Sequence, residues 1–177
     1  MRAPLTYQRL LDLIQQRQTM LCVGLDTDPE RIPACLRNEP DPVLAFHKAI
    51  VEATADLCIA YKPNLAFYEV LGPKGWDILA ETIEYIGKEH FTIADAKRGD
   101  IGATATQYAK EVFGRYNAHA VTVSPYLGAD SVEPYLEWED RGVIVLCRTS
   151  KPGGADLQFL MTDGVPLYLR VADLVAN

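Results

Sequence analysis

The chain has no long apolar run, little histidine and no surplus of positive charge. Its hydrophobic stretches are strand-sized, well short of the roughly 20 residues that a membrane-crossing helix needs. The opening "MRAPLTYQRLLDLIQQRQ" carries charges throughout and has no apolar centre of signal-peptide type. The expectation is a cytoplasmic protein with no membrane association. Lys and Arg number 17 against 24 Asp and Glu, a net charge of −7. That sign argues against a broad nucleic-acid or anionic-lipid surface and leaves room only for a local basic pocket. The three histidines, His47, His90 and His119, are scattered without zinc-site spacing. None of Cys22, Cys35, Cys58 and Cys147 forms a CxxC pair. They read as small buried hydrophobes in a reducing compartment. "GPKG" at Gly72 lacks the spacing of a phosphate-binding loop and reads as a turn before a helix. Ser/Gly linkers and low-complexity tracts are missing too, so residues 1–177 read as a single domain.

What is present is an ordinary globular composition, 49% hydrophobic and 23% charged, enough for one sizeable core. Five nearly continuous apolar runs read as parallel strands covered on both faces: "MLCVGL" from Met20, "LCIAYK" from Leu57, "FTIADA" from Phe91, "AVTVSP" from Ala120 and "GVIVLC" from Gly142. Helical patterns alternate with them. The first has Thr6 as its cap and Leu10, Leu11, Leu13 and Ile14 on its apolar side. Asp41-Pro42 opens a second, with cap and first-turn proline. Others run from about Gly75, Gly102 and Pro166, and Thr27–Pro40 is a proline-rich loop. A β-α repeat predicts a parallel sheet with crossover helices. It fits an open doubly wound sheet. It equally fits the first five units of a (β/α)8 TIM barrel, at about 31 residues per unit in a barrel of about 250. In the second case the chain does not close its barrel.

Both architectures gather function at the C-terminal ends of strands. Polar residues recur there: Asp26 and Asp28 after strand one, Lys62 and Asn64 after strand two, Ser124 and Asp130 after strand four, Arg148, Thr149 and Ser150 after strand five. Strand three is the sharpest case. "FTIADAKRGDIGATATQ" starts as a buried strand and then places Asp95, Lys97, Arg98 and Asp100 within six residues. Period-two alternation puts Asp95 and Lys97 on one face, with Ala94 and Ala96 on the other where a helix approaches. Lys62, at the end of the preceding strand, is in reach of Asp95. Burying any of these charges alone costs several kcal/mol, so they must be paired or partly wet. Plainer readings stand beside the functional one. Asp95 and Lys97 could be a structural ion pair, Asp100 a helix cap, and Lys62 a solvated loop residue. Arg98 could be solvated or a surface partner for an acid, Asp26 a turn residue and Ser150 a loop hydroxyl.

Taken together these residues resemble the orotidine 5′-monophosphate decarboxylase family, and in particular its bacterial type 2 subgroup. The likeness rests on D-x-K-x-x-D (Asp95, Lys97, Asp100) followed by Ile101-Gly102, on "LCVGLDTD", on the lysine of "YKPN" and on "CRTSKPGGADLQ". It covers nearly the whole chain. The resemblance implies an incomplete TIM barrel in which Asp95 sits against the substrate carboxylate and Lys97 delivers a proton to pyrimidine C6. Lys62 would contact the ribose and hold Asp95. Asp100 would reach across a homodimer interface into the neighbour's site, with Thr104 beside it. Asp26 would bind a ribose hydroxyl and Ser150 the pyrimidine. It implies no metal and no organic cofactor, and orotidine 5′-monophosphate as the small-molecule partner. The family's phosphate grip comes largely from loops after strands seven and eight. The resemblance therefore implies an N-terminal part, inactive alone because remote phosphate binding contributes to transition-state stabilisation.

Elementary electrostatics fits these roles. Loss of CO2 leaves a carbanion at C6 that needs a preorganised cation in a water-poor site. Two charges 4 Å apart interact by roughly 1 kcal/mol in water and roughly 4 kcal/mol at an effective dielectric of 20. Two alternatives share the barrel. Sugar-phosphate decarboxylases and synthases carry D-x-K-x-x-D but use magnesium held by an acid at the end of strand two, where this chain has "YKPN". A Schiff-base aldolase needs a lysine that gives up its proton, which a neighbouring carboxylate opposes. A non-catalytic α/β binding domain is the third reading.

Overall fold

The computed structural model describes residues 7–176. Thr6, expected to cap the first helix, lies outside them. Each predicted apolar run contains a strand: β1 (Cys22–Leu25), β2 (Ala60–Pro63), β3 (Phe91–Arg98), β4 (Ala120–Val123) and β5 (Gly142–Val145). They form one sheet in the order β1-β2-β3-β4-β5 with every neighbouring pair parallel. A doubly wound sheet needs its strand order to reverse at a switch point. Strictly sequential parallel order is the barrel pattern, so the open-sheet alternative is discarded. The chain holds five β/α units of a (β/α)8 barrel.

The helices follow from the apolar stripes. In α1 (Tyr7–Arg17), Leu10, Leu13 and Ile14 pack on Ile59, Ala60 and Phe91, where β2 and β3 begin. Arg17 ties that end down by donating to the carbonyls of Ala55 and Cys58. α2 (Pro42–Thr54) has proline in its first turn as expected, but Asp41 makes no cap bond. The Asp41 carboxylate pairs with Lys74 instead. A short α3 (Ala66–Glu69) precedes α4 (Pro73–Ile86), which begins inside "GPKG". Gly75 is required there: a Cβ would lie 1.8 Å from the Tyr68 carbonyl oxygen. α5 (Gly102–Ala109) runs on into wide π-type turns over Lys110–Arg115. The four-residue α6 (Glu133–Leu136) connects β4 to β5, where no helix was expected. After β5 come α7 (Ala155–Gln158), an unpredicted small hairpin of β6 (Met161–Thr162) and β7 (Val165–Pro166), and α8 (Leu167–Ala176). Thr27–Pro40 is a loop with two 3-10 turns, pinned by the buried Ile32.

The main core lies between the sheet and α2, α4 and α5. Leu44, Leu79, Ile83, Ala105, Val112, Phe113, Val121 and Tyr135 are all buried in it. Each large apolar side chain there contributes roughly 1.5–3 kcal/mol. The cysteines depart from expectation: all four are free, but only Cys58 is buried, and Cys22 and Cys35 are exposed. Both lie outside the main core, Cys22 on the exposed face of an edge strand and Cys35 in the proline-rich loop.

One irregularity positions the site. β3 pairs regularly with β4 at Ile93↔Ala120 and Ala94↔Val121, and next at Arg98↔Val123. Four residue steps on β3 thus face two on β4, which is a bulge. Lys97 within it adopts φ 48°, a left-handed conformation uncommon outside glycine. Simple alternation therefore does not run through Asp95, Ala96 and Lys97, and that expectation is corrected.

Candidate active site

The bulge brings the expected charges together by a different route. Asp95 is only 8% exposed. Lys62 at the end of β2 donates to Asp95 Oδ2 at 2.8 Å, and Lys97 donates to Asp95 Oδ1. One carboxylate thus stands between two ammonium groups, each on its own oxygen. Thr122 of β4 completes the group: its Oγ1 donates to Asp95 Oδ1 at 3.0 Å and accepts from the amides of Ala96 and Lys97, both at 3.0 Å. Burial alone would raise the Asp95 pKa, but the hydrogen bonds from Lys62, Lys97 and Thr122 outweigh it and hold the carboxyl below its ordinary value. For Lys62 burial acts downward, and the bond and charge of Asp95, with Asp26 behind it, raise the pKa overall. The reading of Lys62 as a solvated loop residue is therefore set aside.

Asp26 adjoins this centre. It is exposed at the end of β1 and accepts from Asn64 Nδ2 at 3.4 Å. The turn that follows is made by Asp28, which accepts from the Glu30 amide at 3.0 Å, so Asp26 is not the turn residue. Asn64 also bridges to Asp95 through the backbone, and the Leu65 amide donates to the Asp95 carbonyl at 3.2 Å. Polar groups therefore run without a break from β1 across β2 to β3.

Arg98 faces away from the site. It donates to Glu69 Oε1 at 2.8 Å, lies 3.7 Å from Glu111 Oε2, and stacks 4.6 Å from the centre of the Tyr108 ring. With its side chain 18% exposed it is a partner for acids and not a solvated arginine. Asp100 does not cap α5 either. Ile101 holds the cap position with no side-chain bond, and among the described residues Asp100 accepts from the Ile101 amide, at 2.8 Å. Thr104 is exposed in the first turn of α5. Ser150 is exposed in the loop after β5, in a shallow cleft with Arg148, Lys151 and Phe159. The Arg148 guanidinium is held between Phe159 and Tyr168, 5.1 and 5.4 Å from their ring centres. The structure thus joins Lys62, Asp95 and Lys97, sets Asp26 beside them, and leaves Asp100, Thr104 and Ser150 outside that hydrogen-bonded group.

Sequence reasoning missed Thr122. Its signal was a lone hydroxyl in the middle of the apolar "AVTVSP", one strand along from the charged motif. It also missed His47, which is 1% exposed and bonded to Thr27 Oγ1 at 2.9 Å and Thr82 Oγ1 at 3.1 Å. That imidazole fastens α2 and α4 to the residue following Asp26. Among the described residues no group of three His, Cys, Asp or Glu side chains is placed to hold a metal ion. None of the described helices is long and apolar enough to cross a membrane.

Fold and centre together define a β/α-barrel protein whose polar chemistry lies at the C-terminal ends of β2 and β3, the face on which barrel enzymes carry their sites. Residues 19–175 match the orotidine 5'-phosphate decarboxylase / HUMPS family, and the chain belongs to it. It is 54% identical over 173 residues to the orotidine 5'-phosphate decarboxylase of Janthinobacterium sp. (strain Marseille), covering 96% of this chain and 63% of that protein. It is 55% identical over 174 residues to the Bordetella avium (strain 197N) protein of the same name, with the same coverage of 96% and 63%. The structure of Leishmania donovani OMP decarboxylase superposes with a TM-score of 0.81 at 40% identity, over 93% of this chain and 63% of the other. The chain spans about 63% of the length of these curated relatives.

Proposed function

We propose that this protein decarboxylates orotidine 5′-monophosphate to UMP. The observation that carries the reading is the Lys62–Asp95–Lys97 arrangement, one carboxylate with a lysine on each oxygen. In the proposed step the pyrimidine carboxylate lies beside Asp95. The bond from C6 to the carboxyl carbon breaks, CO2 departs, and the electron pair remains on C6. The Lys97 ammonium gives its proton to C6 and the resulting amine is recharged from water. Asp95 orients Lys97, and its charge opposes a substrate carboxylate that vanishes as CO2 leaves. Preorganised charge of this kind is where such reactions gain most of their acceleration.

Lys62 holds Asp95 and contacts the ribose, and Asp26 takes a ribose hydroxyl. Ser150 addresses the pyrimidine. Asp100 and Thr104 serve the site of a second copy in a homodimer, which agrees with their standing clear of the Asp95 group. Placement in the bacterial type 2 subgroup and a cytoplasmic location belong to the same reading. It is supported by the relatives' names, by the identity of about 54% to one of them, and by the absence of an acid at the end of β2, which the magnesium-dependent sugar-phosphate relatives require. The test is UMP formation from orotidine 5′-monophosphate by the product of the complete natural reading frame, with and without EDTA. Turnover unaffected by EDTA is expected. Turnover confined to a sugar phosphate and abolished by EDTA would transfer the protein to the other branch of its family.

A further inference from the structure

Thr122 is the hub of the bulge. A hydroxyl has one proton to give and two lone pairs. Both lone pairs of Thr122 Oγ1 are engaged by the Ala96 and Lys97 amides, so its proton can go only to Asp95 Oδ1. That direction requires an oxygen that accepts, and an ionised carboxylate supplies one. The residue is 7% exposed, so water does not substitute freely for any of the three bonds. The two amides it satisfies are those that a bulge removes from the ladder, and one belongs to Lys97, whose φ of 48° is costly for a side-chain-bearing residue. Without the hydroxyl, two partly buried donors lose their acceptor, and the backbone gains by relaxing toward a regular strand. Regular pairing would turn Lys97 off its present line to Asp95.

Resting on the decarboxylase reading above, we propose that Thr122 is a positioning residue for the proton-donating lysine. Its hydroxyl clamps the β3 bulge from β4 and fixes Asp95 so that Oδ1 faces Lys97 and Oδ2 faces Lys62. It acts through Asp95 and Lys97 and touches no substrate atom. Valine keeps the shape and removes all three bonds, whereas serine keeps the bonds. A misplacement of about 1 Å in a reacting group costs on the order of 10²-fold in rate.

The experiment compares wild type, Thr122→Val and Thr122→Ser in the complete protein. It measures kcat, KM, the pH profile of kcat/KM and, independently of turnover, the NMR titration of the Asp95 side-chain carbonyl carbon. The valine variant is expected to lose about 10- to 100-fold in kcat with KM changed less than about threefold. Its acidic limb and its Asp95 titration should both move to higher pH, because the bond that favours the charged form is gone while Lys62 and Lys97 remain. Serine should restore all three properties. If Thr122→Val does not fold, Thr122→Ala is judged by the same criteria. Should neither fold while serine does, the hydroxyl is a structural necessity and the positioning role is overturned. Wild-type kcat with an unmoved Asp95 titration in the valine variant overturns it as well. A wild-type protein that forms no UMP sinks the decarboxylase reading instead, and the carbonyl titration still decides whether Thr122 governs Asp95.

Discussion

The two ends of β3 use the same device for opposite purposes. At its start the strand pairs regularly with β2, at Ala60↔Phe91 and Tyr61↔Thr92, and the His119 imidazole accepts from the Thr92 amide at 3.0 Å. At its close the Thr122 hydroxyl accepts from the Ala96 and Lys97 amides. Both are side chains from the β4 side that bond to β3 backbone. The first end is largely apolar, with the His119 ring edge-on to Phe91 at 5.3 Å, the Arg9 guanidinium 4.7 Å from the centre of the Phe91 ring, and α1 covering it. The second holds a carboxylate and two ammonium groups on a strained turn. The lesson is a division of labour within eight residues: the first end supplies stability and the second spends regularity on placing charge.

This division can be broken by substitution. Asp95→Asn, at the close of the strand, should have the larger effect of a pair, a fall in turnover on the order of 10²-fold or more. The amide cannot offer a charged oxygen to each lysine, and Lys62 and Lys97 would lose the charge that pairs them. Steady-state kinetics on protein with a native circular dichroism spectrum checks this. Phe91→Ala, at the other end, should cost about 3–5 kcal/mol by denaturant unfolding. The kcat per folded molecule should stay near wild type. A Phe91 variant with full stability and crippled turnover would reverse the proposed division.

The pH dependence of stability separates these ends from the layer beneath Asp26. Burial pushes the His47 pKa down from 6.5 to about 4. Between those values the unfolded chain binds a proton that the folded chain refuses, so stability must fall as pH drops through that window. The slope from this one group is at most about 1.4 kcal/mol per pH unit. Asp95, whose pKa is lowered, works on the other side: its contribution is complete above the ordinary carboxylate value and is lost only as pH falls below it. Unfolding midpoints from pH 7 to 4.5 should therefore decline in wild type and decline less in His47→Gln, while Asp95→Asn leaves the slope in that window unchanged.

Much of this architecture was legible in the residues. Apolar runs beginning at Phe91, Ala120 and Gly142 became strands at those residues because both faces of a barrel strand are covered. The partnership of Lys62, Asp95 and Lys97 was legible too, although by the wrong geometry: alternation was assumed where a bulge intervenes. A bulge leaves little local trace, since the hydroxyl that accepts from the Lys97 amide lies 25 residues further on. Asp41 and Asp100 show the converse limit. Each stands where a helix cap would, yet Lys74 claims one carboxylate and the other lies one residue too early. The choice between barrel and open sheet depended on strand order, which periodicity does not encode.

The central claim is that the close of β3 presents Lys97 as the proton donor. The most direct measurement is UMP formation from orotidine 5′-monophosphate by the complete protein and its Lys97→Ala variant, each first shown to bind UMP. The Lys97 side chain is 51% exposed, so its removal should leave the melting temperature within a few degrees of wild type. Loss of a positioned proton donor predicts a fall in kcat of about 10²–10⁴-fold. A Lys97→Ala protein that binds UMP and turns over within about threefold of wild type would contradict the account.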